Sequence, residues 1–320
     1  MKVEVIGGGP AGLRASRLLA EMGHDVTLCE AGEIGDNVSC GEAYLNVYPE
    51  VERPRDGLIR EYARVLHRED GREFQMDGRH IYQYDRGLME RGMRERAESV
   101  GVHIRENCMR EKPSNDCLTV DASGFPSILY SPSDYDCGFA VSCLVAERTE
   151  RMTFDWTDFG YYWSFPKREM TNAGFGVFRS PFKDVRGKAV RYSQNIGGIE
   201  KISGGFIPYS FDGALWNSEA RTVLIGDAAG LCNSFHGGGI HTALLSANMV
   251  ANTIDGLDRY QEELMGRMDD ELQFAEVTSS FREDGRLGEL IREDDNIRDV
   301  THPSSFRKVS VFAKWKVPIF

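Results

Sequence analysis

Gly7, Gly9 and Gly12 stand in G-x-G-x-x-G spacing directly after the apolar run Val3-Glu4-Val5-Ile6. Those residue types have a chemical use at that spacing. One glycine makes a tight turn, one lets backbone approach a pyrophosphate, and one lets a helix pack close to a strand. Ala11 lies within the motif, and Leu13, Ala15, Ser16, Leu18, Leu19 and Ala20 give the following helix a small, apolar face. The N-terminus of that helix offers free N–H groups and partial positive charge to an anion. A second strand is expected over residues 25–30 and ends in Glu30, eighteen residues beyond Gly12. A carboxylate there is placed to hydrogen-bond a ribose hydroxyl. Strand, glycine turn, helix and acid together point to a bound dinucleotide.

The scaffold for such a site is an α/β nucleotide-binding domain. At 320 residues the chain is long enough for two domains, or one with a large insertion. With 41% hydrophobic residues it has ordinary globular composition, and no apolar run is long enough to span a bilayer. The first residues run straight into a strand, which leaves no signal peptide in this reading. The seven cysteines are scattered and lack a C-x-x-C pair, which reads as reduced thiols in a cytoplasmic protein and predicts no metal site. A net charge of -12 disfavours nucleic acid as a partner.

Further elements follow in order. Residues 58–84 alternate and turn at Asp70-Gly71 and Asp77-Gly78, so antiparallel strands are expected. A helix opens at Tyr84-Asp85-Arg86, with Leu88, Met89 and Met93 on one face, and a short strand follows at Val102-His103-Ile104. Leu118-Thr119-Val120-Asp121 is another strand, ending in a glycine turn. Residues 143–211 are rich in aromatic and β-branched types and read as a β-sheet domain, with turns at Asn172-Ala173-Gly174 and Gly197-Gly198. Residues 221–227 form a buried strand ending in glycine and Asp227, and Gly237-Gly238-Gly239-Ile240 opens a further helix. Leu257, Leu264, Met268 and Leu272 make a core-facing stripe at helical spacing. The expected division is a discontinuous nucleotide domain (1–57, 85–142 and 214–256), a β-sheet substrate domain (58–84 and 143–213) and a mostly helical part (257–320).

The glycine turn with Glu30, the strand end Asp121-Ala122-Ser123-Gly124 and the run Gly226-Asp227-Ala228-Ala229-Gly230 together resemble the FAD-binding flavoproteins. That superfamily includes aromatic hydroxylases, halogenases and geranylgeranyl reductases. Two motifs are similar to the geranylgeranyl reductase family in particular. They are Cys40-Gly41-Glu42-Ala43 and Tyr161-Tyr162-Trp163-Ser164-Phe165-Pro166-Lys167, the latter followed by Asn172-Ala173-Gly174. Ser234 stands where that family usually has proline, and Gly238 where an acid is common. These departures leave the natural substrate open.

The resemblance implies a Rossmann-like FAD domain of the glutathione-reductase and p-hydroxybenzoate-hydroxylase type, with an inserted antiparallel sheet. It assigns Gly7, Gly9, Ala11, Gly12, Glu30, Cys40, Gly41, Ala43, Arg86, Asp227, Gly239 and Ile240 to the cofactor. It gives Cys40 a place beside the flavin, where a thiol tunes potential or relays a proton; the alternative is a thiol that simply packs. Arg86 either faces the cofactor or pairs with Asp85. Tyr161, Trp163 and Phe165 alternate on a strand and share a face. Spacing alone reads that face as core, whereas the resemblance makes it an apolar substrate cavity. His236 is either a proton source or a loop residue.

The implied activity is reduction of double bonds in a prenyl, geranylgeranyl-type lipid or another apolar small molecule, with NAD(P)H or ferredoxin as electron donor. A flavin hydroxylase on the same scaffold, or a flavoprotein passing electrons to a quinone or protein partner, are the other readings. The basic, aromatic segment 307–320 is a candidate for peripheral membrane contact or for docking on its own domain or on a partner chain.

Overall fold

The computed structural model describes residues 1–36, 38–69, 71–77, 80–178 and 182–283. In chain order the first half holds β1 (Lys2–Ile6), α1 (Pro10–Glu21), β2 (Asp25–Cys29), β3 (Ala43–Leu45), β4 (Leu58–Glu61), β5 (Arg64–Glu69), β6 (Arg72–Asp77), β7 (Ile81–Tyr84), α2 (Arg86–Ser99), β8 (His103–Arg105) and β9 (Leu118–Asp121). The second half holds β10 (Tyr135–Val145), β11 (Thr153–Thr157), β12 (Gly160–Lys167), β13 (Met170–Val177), α3 (Val185–Gln194), β14 (Ile199–Phe211), β15 (Trp216–Asn217), β16 (Thr222–Leu224), α4 (Ile240–Thr253) and α5 (Tyr260–Glu283).

Three sheets result. The first runs β15-β16-β9-β1-β2-β8 and is parallel except at β15, with β1 between β2 and β9. Val3, Val5 and Ile6 are buried, as a strand covered on both faces requires. α1 packs against α4 and α2. The second sheet, β14-β10-β13-β12-β11-β5-β6, is antiparallel apart from the β5–β11 pair. A third small sheet, β3-β7-β4, sits beside them. The fold is α/β, a Rossmann-like FAD-type domain carrying an inserted antiparallel sheet.

The first glycine turn is held by sterics. Gly7 has φ +106°, and a Cβ there would lie 2.1 Å from the Ala122 carbonyl oxygen. A Cβ on Gly12 would lie 2.0 Å from the Gly7 oxygen. Larger residues at either place would push α1 off the sheet.

Several expectations are corrected. Asn172-Ala173-Gly174 is not a turn but lies inside β13, and the chain reverses at Arg168, where φ is +49°. Gly174 is there for close packing: a Cβ would sit 2.4 Å from the Trp163 ring. The stretch 143–211 is not all β, because α3 packs Val185 and Ala189 on the far face of β10 and β13. The expected boundary between 142 and 143 falls inside β10, and residues 58–84 divide between two sheets. Leu88 and Leu272 are exposed, while Met89, Met93, Leu257, Leu264 and Met268 are buried. The Asp77-Gly78 turn and residues 284–320, with the basic tail, lie outside the described residues. Among the described residues no helix is long and apolar enough to cross a membrane.

Candidate functional site

One cavity of about 660 Å³ lies between the first sheet, the start of α4 and the inner face of the seven-stranded sheet. Gly7, Gly9, Ala11, Glu30, Cys40, Gly41, Arg86, Asp227, Gly239, Ile240, Tyr161, Trp163 and Phe165 all border it. Gly12 and Ala43 stand behind this wall: Gly12 is pressed against Gly7, and Ala43 pairs with Gln83 in the small sheet.

The wall built by the glycine turn and the start of α4 is largely backbone. α1 and α4 both begin at the cavity, with Gly9 and Gly239 as N-caps and no side-chain cap on either. Pro10 carries no N–H, so the uncapped donors begin at Ala11 in α1 and at Ile240 in α4, where they suit an anion or a polar ring edge. Glu30 Oε2 accepts from Gly8 N at 2.6 Å and Oε1 from Gly32 N at 2.9 Å. Each oxygen keeps a further acceptor position.

Arg86 enters from the first turn of α2. Its Nε donates to Glu90 Oε1 at 2.7 Å, and its backbone N–H to Glu42 Oε1 at 3.0 Å. The alternative partner, Asp85, instead caps α2 by accepting from Leu88 N. Burial opposes the guanidinium charge, but Glu90, Cys40 and Asp227 outweigh it and raise the Arg86 pKa. Burial raises the pKa of both Glu90 and Asp227, with Arg86 acting against it. Burial and Asp227 push the neighbouring Cys232 thiol well up.

The Cys40 loop is tied down by side chains. Cys40 Sγ accepts from Glu42 N at 3.2 Å, and the Cys40 carbonyl accepts from Asn172 Nδ2 at 2.7 Å. Glu42 is buried, and its Oε1 also accepts from Lys167 Nζ at 2.8 Å. Its carboxylate is therefore a structural tether joining the loop to α2 and β12. Asn172 Oδ1 in turn accepts from Ser142 Oγ at 2.8 Å and Trp163 Nε1 at 2.9 Å. One amide thus holds the Cys40 loop and an aromatic of the cavity wall in register.

Tyr161, Trp163 and Phe165 share the inner face of β12, as alternation predicts. Tyr161 donates its hydroxyl to the His236 carbonyl at 2.6 Å. With that hydroxyl and the Trp163 N–H both bound to protein, what the strand presents is apolar ring. His236 is buried and its Nδ1 accepts from Gly238 N at 3.0 Å. Burial, then His241, lowers its pKa to about 3, so the ring is neutral at ordinary pH. Its Nε2 is buried without a hydrogen-bond partner among the described residues, and the residue borders the main cavity.

Sequence reasoning missed Glu90 and Asn172 as site residues. Glu90 was accessible through its i,i+4 spacing to Arg86. Asn172 carried no such signal, since its partners come from three other segments.

No family model matches the chain. An uncharacterised protein of Methanosarcina barkeri is 32% identical over 127 residues, 37% of this chain and 33% of that protein. The digeranylgeranylglycerophospholipid reductase of Methanosarcina acetivorans is 26% identical over 298 residues, covering 76% of this chain and 72% of the relative. The geranylgeranyl diphosphate reductase of Synechocystis is 24% identical over 307 residues, covering 79% and 75%. Among solved structures, a geranylgeranyl bacteriochlorophyll reductase-like protein of Thermoplasma acidophilum superposes with a TM-score of 0.77 at 19% identity, over 98% of this chain and 96% of that one. CmlS, a flavin-dependent halogenase, gives 0.66 at 19% identity over 93% and 68%. What these structures share with this chain is the fold.

Proposed function

We propose that this protein is an FAD-dependent reductase acting on double bonds of a prenyl, geranylgeranyl-type lipid. The observation that carries the reading is the meeting of two unlike walls in one cavity, a polar backbone wall and an apolar aromatic one joined at Cys40. The relatives named for geranylgeranyl substrates support it.

The residues present fit FAD. Gly9 faces the cavity with only an Arg86 nitrogen, 3.9 Å away, near the place of a Cβ, so any side chain there would fill the space. Gly7, Gly9, Ala11 and the start of α1 would hold the pyrophosphate, with Gly12 allowing the helix to approach. Glu30 would hold the ribose. Arg86 and Asp227 would face the ribityl–pyrophosphate part, and Gly239 and Ile240, with Cys40 and Gly41 opposite, the ring. When bound, FAD supplies a two-electron carrier between NAD(P)H or ferredoxin and the substrate.

The chain's own contribution is binding and exclusion of water. Each CH₂ buried against Tyr161, Trp163 and Phe165 contributes about 0.8 kcal/mol. An isolated alkene has no carbonyl to accept charge, so positioning in a dry slot is the main catalytic effect available. Cys40, at the seam of the two walls, is the residue placed to hand a proton to the substrate.

A single turnover tests this. The purified protein is loaded with FAD, reduced anaerobically with dithionite and mixed with geranylgeranyl lipids, and products are weighed by mass spectrometry. Gain of hydrogen pairs with reoxidised flavin is the expected result. Unchanged lipid would reject the reading, and an added oxygen atom on some other substrate would put the hydroxylase in its place.

A further inference from the structure

Behind Cys40 lies a second, smaller cavity of about 160 Å³, and the two share Cys40, Ser142, Val38 and Gly35. They differ in chemistry. The main cavity turns aromatic rings toward the substrate. The smaller one is lined at its inner end by Cys40, Glu42, Ser142 and Asn172, all polar. At its outer end are Asp36, Arg91 and Lys201, which are exposed. The β-sheet register explains the gradient. Ser142 lies opposite Ser203, and Leu144 opposite Lys201, so β14 sends Ser203 and then Lys201 outward along this face. Water, which occupies roughly 30 Å³ per molecule, fits here several times over, with hydroxyl, amide and charged partners along the way.

We propose that this smaller cavity is a water-filled proton inlet that resupplies Cys40 from the side opposite the substrate. The inference rests on the reductase reading. Saturating one C=C bond takes two electrons and two protons. In hydride form the bound cofactor supplies both electrons and one proton. The second proton passes from the Cys40 thiol to the other carbon, and water in the smaller cavity returns a proton to the thiolate. The aromatic face of the substrate slot offers no donor for that last step, and the polar cavity behind Cys40 does. Asn172 is the positioning residue: through the Cys40 carbonyl and Ser142 it keeps the thiol at the junction.

The test uses the full chain loaded with FAD. Methyl methanethiosulfonate is small and uncharged, and its addition to Cys40 is followed by peptide mass mapping, with Cys40→Ser as blank. Ser203→Trp fills the outer half of the inlet; Ser203→Leu is the milder version if the tryptophan variant does not fold. In the loaded wild type Cys40 labels. In the Ser203 variants labelling falls about tenfold, as does single-turnover lipid reduction, while half-saturation by lipid and the rate of flavin reduction by dithionite stay within about twofold. Protection of Cys40 in the loaded wild type, or equal labelling in the Ser203 variants, overturns the inlet. Wild type that labels as expected but leaves prenyl lipids unchanged removes the reductase reading and leaves a water path to Cys40.

Discussion

The two walls of the cavity are built on different principles. The glycine-turn wall uses backbone: a turn at Gly7, two uncapped helix starts at Gly9 and Gly239, and one carboxylate, Glu30. The wall of the inserted sheet uses side chains. There Asn172 holds Cys40, Trp163 and Ser142, and Glu42 joins the loop to α2 and β12. A backbone site demands particular residues at fixed spacing, because only glycine permits the geometry. A side-chain site demands complementary groups brought from distant segments, and many sequences satisfy it. The glycine-turn wall is thereby constrained locally and the inserted-sheet wall globally.

Breaking each wall separates the two cases. The largest effect is expected from Gly7→Ala. It forces an L side chain into φ +106° and a Cβ into the Ala122 carbonyl, so stability falls by at least about 2 kcal/mol and FAD binding is lost. Thermal unfolding and flavin fluorescence titration check it; a variant that binds FAD as the wild type does would remove the backbone argument.

Asn172→Leu comes next. It strands the Trp163 N–H and the Cys40 carbonyl at about 1–3 kcal/mol each, less whatever relaxation recovers. Denaturant midpoints should drop while FAD affinity holds within about threefold, since no cofactor contact is assigned to this residue. Equal losses in both measurements would merge the two walls into one cooperative unit.

A pH dependence belongs to the side-chain wall and its neighbours. Burial lowers the pKa of His67 to about 3, with His80 adding to it, and burial does the same for His236. Their unfolded value is about 6.5. Each folded pKa is depressed, so the unfolded chain binds more protons below that value. The stabilising contribution is complete above about pH 6.5 and is lost as pH falls toward 3, at roughly 1 kcal/mol per unit for each ring at most. Glu271 adds a loss of the same sign below its ordinary range. Burial alone would raise its carboxyl, but His241 and Tyr48 hold it down at about 2. Urea midpoints measured from pH 8 to 5 should fall, and His236→Gln should flatten the slope. A flat wild-type profile would show these rings to be protonated in the native state.

How much of this was legible follows the same division. The motif around Gly7 and Glu30, the capped start of α2 at Asp85 and the shared face of Tyr161, Trp163 and Phe165 could all be read from short windows. Each rests on a local period or a local steric need. The misreadings came from residues whose environment is made elsewhere. Gly174 looked like a turn because nothing nearby in sequence announces the Trp163 ring against it. Leu88 and Leu272 fitted apolar stripes, and the packing of neighbouring elements left them outside.

Sequence alone determined that β1, its glycine turn and α1 form one strand–turn–helix unit, because glycine geometry and strand burial admit few other solutions. Only the tertiary structure decided that Glu42 is a tether and that Asn172 joins both cavities at Cys40. Those two assignments depend on hydrogen-bond partners brought within about 3 Å by packing of the Cys40 loop against β12 and β13, more than a hundred residues further along the chain.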